Sequence, residues 1–423
     1  DRIRRDSVRL AGLVAHGQSS DPAAAAQTTR EIIDEEELLF RDLALPQPVQ
    51  RTWKDVREHL EPGAAAVEII EFDDYSAPRL KEARYVAMIV THTSQAPELV
   101  NLGSKSFIES KVLPDYEALR IGKPGAGVLF AETIWKPIEQ QIGGATRVYI
   151  SGDGKLTSIA WHILPIGEDS LIDRYDLRVL SSMADLTDDR DPTRDRSAVL
   201  LGNIDFGPVH RTGAVHLEAL PGTAAEIAAV ESILSRKGWA VTKIERSKAT
   251  ASALNGLHSP RLLHIATHSF VQAGAGRANV NDLSGTGLFL AGANGEPGEG
   301  DHLLTAAAVR YLDLADTEMV VLAACDSGGG PVRSGEGVFG LPRSFIEAGA
   351  ASVLMTLWRI PDRDAQRIMT AFYQYWSDGV DRHEALRRAI IEAKRQKMIV
   401  GVAGMPLHRN SPFYWGAFMF VGR

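Results

Sequence analysis

The sequence predicts an α/β protein whose mostly parallel sheet is flanked by helices. Three observations carry that expectation. Short apolar runs alternate with longer amphipathic stretches over most of the chain. Several of the runs, such as AVLLGNID (198–205), MVVLAAC (319–325) and ASVLMTLW (351–358), are apolar nearly throughout, as in strands covered on both faces. The composition, 44% apolar and 24% charged over 423 residues, is that of an ordinary folded protein with room for more than one core.

Taken in order, residues 1–80 read as a region of surface helices, because TTREIIDEEELLFRDLA and RTWKDVREHLEPGAA space their apolar positions three and four apart. A first α/β unit is expected over 81–186, with a strand in ARYVAMIVTH, helices over 104–121 and 128–142, and a hairpin from TRVYIS into GDGKLTSIAWHIL turned at Asp153-Gly154. The charged segment LTDDRDPTRDRS suggests a linker over 187–197, and a second unit runs over 198–423. In that unit a strand at 198–205 leads to a helix in GTAAEIAAVESILSRKG, where Thr223 and Glu226 have the spacing of a capping box. Strands in AVTKIE, RLLHIATH (261–268) and GLFLAGA (287–293) follow, with a short helix from Thr250. A helix over 304–314, the strand 319–325, a helix over 336–348, the strand 351–358, helices 362–377 and 382–397 and a strand in YWGAFMFV complete the series.

The net charge of −8 argues against nucleic acid or an anionic membrane as the main partner. One cysteine forms no internal disulfide, which fits a reducing compartment. No signal segment and no apolar stretch of membrane-spanning length is visible, so a cytoplasmic protein is expected. The chain starts with Asp1, which suggests a piece of a longer protein.

In open α/β sheets, reactive groups gather at the carboxyl ends of strands. Cys325 and His268 each close a predicted strand, and glycines follow the cysteine. On neighbouring strands, an imidazole would take the thiol's proton and later protonate an amine leaving group. A buried cysteine acting only as a small hydrophobe is the alternative. His264 and His268, four apart, would offer two zinc ligands on a helix, but the glutamate expected after the first His is missing and the pattern is that of a strand. His264 is expected as a hydrogen-bonded partner in or under the sheet. The glycines of GDGK and GEGVFG do not match a phosphate-cradling loop, and no cofactor or metal is expected.

The ordered motifs LPGTAAEI (220–227), LLHIATHS (262–269), VVLAACDSGGG (320–330), SGEGVFGLPRSFIEAGAASVLMTLWRIPD (334–362), FYQYW (372–376), ALRRAI (385–390) and YWGAFMFVG (414–422) resemble the CHAT domain family of caspase-like and separase-like cysteine peptidases. The resemblance, which extends from about residue 80 to the end, implies a caspase-like catalytic half preceded by a pseudo-caspase half without a nucleophile. It places the catalytic histidine on His268 and the nucleophile on Cys325, with backbone amides of Ser269 and Cys325 holding the oxyanion. Ser269 departs from the family, which commonly has glycine there. The resemblance also implies substrate-binding roles for Asp205 or Asp326, as carboxylates selecting a basic residue, and for Trp358 and Asp362 as cleft-shaping groups. Loop capping by Asp205 and core packing by Trp358 are the alternatives. A dedicated protein substrate, gasdermin-like or other, is implied, in a context of bacterial immunity, with activation by a partner protein or an upstream repeat or sensor module. The loops 270–286 and 326–336 are expected to order on activation.

Overall fold

The computed structural model describes residues 51–74, 82–188, 195–208, 216–271, 286–295, 301–323, 336–395 and 411–423. The expected helices before residue 51, Cys325, Asp326 and most of the loops 270–286 and 326–336 lie outside them. Contacts divide the chain into two compact units, residues 51–190 with 357–423, and residues 191–356.

In the first unit, strands β1 (Ala64–Asp74), β2 (Glu82–Thr91), β3 (Glu98–Ser104), β4 (Arg147–Ser151), β7 (Asp176–Val179) and β16 (Phe418–Gly422) lie in the order β3-β2-β1-β4-β7-β16. β5 (Pro165–Ile166) and β6 (Asp169–Ser170) form a minimal hairpin apart from them. β1 pairs antiparallel with β2 and parallel with β4, and β7 is parallel to β4 and to β16. β1 corrects the expected helical region over 1–80: Ala64, Ala65, Ala66, Val67 and Ile69 are all buried, which fills both faces of a central strand. The expected hairpin at Asp153-Gly154 is absent. Asp153 instead accepts hydrogen bonds from the backbone N–H groups of Gly154 (2.7 Å) and Glu71 (3.0 Å), and the chain enters a 3-10 turn, Gly154–Ser158. The next strand of this sheet, β7, is accordingly parallel to β4, where a two-residue turn after β4 would have returned the chain antiparallel.

The second unit is a wholly parallel sheet of β8 (Ser197–Ile204), β9 (Ala240–Arg246), β10 (Leu262–Ile265), β14 (Met319–Leu322) and β15 (Ser352–Thr356), ordered β15-β14-β10-β8-β9. β10 and β14 are buried along their whole length. Helix α1 (Pro221–Arg236) packs on β8, where Gly202 allows close approach: a Cβ there would sit 3.1 Å from Ile227 Cγ2. The expected capping box does not form. Pro221 starts α1 two residues before Thr223, whose hydroxyl donates to the Leu220 carbonyl (2.7 Å) and accepts from the Asn203 N–H (2.9 Å). Pro at the first helical position suits the helix because no N–H is needed there.

A separate three-stranded antiparallel sheet, β11 (Ser269–Val271), β12 (Thr286–Phe289) and β13 (Leu303–Thr305), lies after β10 in the chain. It absorbs part of GLFLAGA and shortens the expected 304–314 helix to Ala306–Val309, capped by the Thr305 hydroxyl. Helix α2 (Glu336–Glu347) follows β14. The chain then returns to the first unit with α3 (Asp362–Ser377) and α4 (Arg382–Arg395), whose buried Phe372, Tyr373, Trp376 and His383 gather with Phe420 of β16. Among the described residues, no helix is long and apolar enough to cross a membrane.

Burial, with the nearby Arg178 and Arg382 guanidiniums, holds the His383 imidazole well below the usual pKa of 6.5, while the Arg423 backbone and Asp176 act against this. The unfolded chain takes up that proton near pH 6.5 and the folded chain does not, so this residue's share of stability is lost as the pH falls below about 6.5. Denaturant titrations of wild type and His383→Gln should differ by a slope of up to about 1.4 kcal/mol per pH unit just below that point, the variant being flatter. Equal slopes would contradict this account. A second expectation concerns Gly287, where a Cβ would lie 2.4 Å from the Leu304 carbonyl oxygen and 2.9 Å from the Phe270 ring. Gly287→Ala should cost about 1–3 kcal/mol in thermal unfolding, and an unchanged melting temperature would count against the close approach of β12 and β13.

Candidate active site

β10 and β14 are parallel neighbours, with Ile265 opposite Leu322, and the ladder continues one step as the Ala323 N–H donates to the Ile265 carbonyl (2.9 Å). His268 and Cys325 each stand three positions past that last pair. Cys325 itself lies outside the described residues, so the described half of the site is the histidine and its surroundings.

The expected strand 261–268 ends early, at Ile265. Ala266 still donates to the Leu201 carbonyl (2.8 Å), but Thr267 then turns to the small sheet, its hydroxyl donating to the Phe289 carbonyl (2.5 Å). The Phe289 N–H donates to the His268 carbonyl (2.9 Å). The histidine thus occupies the link between two sheets, held on both sides by the same residue of β12. This placement corrects the expectation that it closes a strand. The cause is that β11 must pair with β12, which breaks the ladder with β8 and β14.

His268 is 5% exposed, its ring packs against Phe206 at 5.1 Å between centroids, and Nε2 lies 2.8 Å from the Glu218 carbonyl oxygen. A carbonyl only accepts, so Nε2 carries the proton in this bond and the neutral ring has its lone pair on Nδ1. That tautomer suits a base whose working nitrogen is Nδ1. Ser269 opposes Leu288 across the small sheet. The bond between Phe289 and His268 makes that pair the hydrogen-bonded type, and pairs alternate, so the Ser269 N–H points away from β12 on an edge strand.

The other residues singled out from the sequence are spread over both units. Asp205 follows β8, is exposed, and accepts a hydrogen bond at Oδ1 from the Gly207 N–H (3.1 Å), while its neighbour Phe206 touches His268. Trp358 belongs to the first unit, where it is 6% exposed, donates from Nε1 to the Phe413 carbonyl (3.0 Å) and lies under the Arg120 guanidinium at 5.6 Å. Those are the contacts of core packing. Asp362, exposed, opens α3, where a carboxylate favours the positive end of the helix. His264 is fully buried in β10 with Nε2 at 3.3 Å from Glu226 Oε1 of α1, a partner under the sheet. Among the described residues, no three His, Cys, Asp or Glu side chains are grouped to hold a metal ion. The sequence could not have pointed to the Glu218 carbonyl, because a backbone acceptor leaves no mark on residue identity, nor to Phe206, one apolar residue among many.

The family model of the CHAT domain matches residues 126–423. A stretch of 120 residues, 28% of this chain, is 32% identical to tetratricopeptide repeat protein 28 of Homo sapiens, and 29% identical to that of Mus musculus. It spans 4% of the length of those relatives. Among solved structures, the Arg-specific cysteine proteinase gingipain R is similar at 11% identity and a TM-score of 0.40, covering 75% of each chain. The Saccharomyces cerevisiae separase–securin complex is similar at 10% identity and a TM-score of 0.39, over 70% of this chain and 17% of that one. With a family model matched over most of its length, the chain belongs to the CHAT domain family.

Proposed function

We propose that this protein is a cysteine endopeptidase in which Cys325 and His268 act as a dyad on a specific protein substrate. The observation that supports this reading is the register of β10 and β14, because His268, its Nε2 bonded to the Glu218 carbonyl, and the chain's one cysteine each stand three positions past the last paired residues of neighbouring parallel strands. His268 Nδ1 takes the proton of the Cys325 thiol, and the thiolate forms a bond to the scissile carbonyl carbon. The oxyanion is held by backbone N–H groups, those of Ser269 and Cys325 being the candidates. The imidazolium returns its proton to the leaving amine as the C–N bond breaks. A water, deprotonated by Nδ1, then attacks the thioester, and the acid product leaves with the thiol restored.

Selection of a basic residue next to the scissile bond is assigned to Asp205, with Asp326 as the second candidate. Support comes from Asp205 being exposed at the end of β8, the strand beside β10, and adjacent to the residue that packs on His268. Its bond to Gly207 occupies one carboxylate oxygen and leaves the other able to meet a guanidinium. An upstream repeat or sensor module is kept as the activator.

Labelling with a peptide electrophile tests the dyad. Wild type should label, Cys325→Ala should not, and His268→Ala should label slower by roughly 10²–10⁴-fold. Equal labelling of all three proteins would leave a non-catalytic interaction module. In a peptide-library digest, Asp205→Ala should lose any preference for Arg or Lys, and an unchanged profile would remove Asp205 from the pocket.

A further inference from the structure

We infer that Asn294 is a positioning residue for His268: by clamping the backbone at Gly207 and Leu217, it sets the Glu218 carbonyl against the imidazole. Asn294 is 7% exposed and spends its whole amide on those two stretches. Nδ2 donates to the carbonyls of Gly207 (3.1 Å) and Leu217 (3.0 Å), and Oδ1 accepts from the Leu217 N–H (3.0 Å). Two carbonyls demand the donor end and one N–H the acceptor end, so the network admits a single orientation of the amide. The Asn294 backbone adds a bond to the Phe206 carbonyl (2.8 Å), and the Gly292 N–H donates to the Asp205 carbonyl (3.0 Å).

The clamped stretches are the two that meet the histidine ring. Phe206, beside Gly207, packs on one face, and Glu218, beside Leu217, supplies the acceptor. The clamp also shares its origin with the histidine's own anchor, since Phe289 of β12 fixes Thr267 and His268, and the chain then runs through Leu290 into the turn that carries Asn294. One short segment, 289–294, therefore sets both the donor and the acceptor of the bond that fixes the tautomer. An aspartate would turn an acceptor toward two carbonyls, and an alanine would leave three backbone groups, those of Leu217 buried, without this partner.

This inference rests on the proposed dyad, and the test separates the two. Cys325 is the sole thiol, so iodoacetamide alkylation of the full chain, followed between about pH 6 and 9, reports its thiolate without any substrate. A slower rate in His268→Ala than in wild type establishes the coupling of thiol and imidazole, and equal rates in those two proteins would refute the dyad. Given the coupling, Asn294→Ala should slow alkylation by about tenfold at neutral pH and shift the midpoint of the pH profile, yet change nothing in a His268→Ala background. An equal loss in both backgrounds, or no loss in wild type, would overturn the assignment. Asn294→Ser, which keeps a short polar group, completes the same cycle if the alanine variant does not fold. If neither folds, Asn294 is a folding residue and the inference fails.

Discussion

The hydrogen bond between His268 Nε2 and the Glu218 carbonyl ties the second unit together, because its donor and its acceptor arrive by different routes. The donor comes off the middle of a parallel sheet, where Leu262, Leu263, His264 and Ile265 are fully buried between β8 and β14. Burying apolar side chains of that size is worth about 1.5–3 kcal/mol each, which fixes β10 and lets the chain leave the sheet after Ala266 without loosening it. The acceptor comes from the segment before α1, whose first turn is held to β8 by Thr223 and whose body is held to β10 by the close approach of Glu226 and His264. A ring bonded through Nε2 to a carbonyl is held in one orientation, with Nε2 as the donor.

The first unit handles its strand ends differently. At the carboxyl end of its parallel pair, Glu71 accepts from Tyr85 Oη (3.0 Å) and pairs with Lys105 (2.5 Å), while Glu109 pairs with Lys155 (2.7 Å). Tyr85 is fully buried, and burial together with both glutamates raises its pKa, so it stays a neutral donor. A side chain at residue 154 would fall 2.4 Å from Glu71 Oε2, so Gly154, at φ +53°, completes the packing there. Charge and hydroxyl are matched to each other in this cluster, which suits a structural unit better than a reacting one.

Much of this was legible in the residues. Runs such as LLHI, MVVL and SVLM read as buried parallel strands because they are apolar nearly throughout, and α3 begins and ends where its apolar spacing does. The misreadings were local signals overridden by tertiary partners. Asp153-Gly154 has the chemistry of a hairpin turn, yet the Asp153 carboxylate is taken by the Glu71 N–H across the sheet. Thr223 and Glu226 have capping spacing, yet Asn203 and His264 engage them instead. His268 could be picked out as the end of an apolar run, but its tautomer could not, since that depends on a backbone carbonyl fifty positions away. Nor does a lone asparagine in a glycine-rich stretch mark Asn294 out, since its partners are backbone groups distant in sequence.

The most direct measurement is the long-range ¹H–¹⁵N correlation spectrum of the His268 ring at neutral pH, assigned by its loss in His268→Ala. The account predicts a protonated Nε2 that exchanges slowly with solvent and a pyridine-like Nδ1. A ring protonated on Nδ1, or one averaging rapidly between both forms, would contradict it.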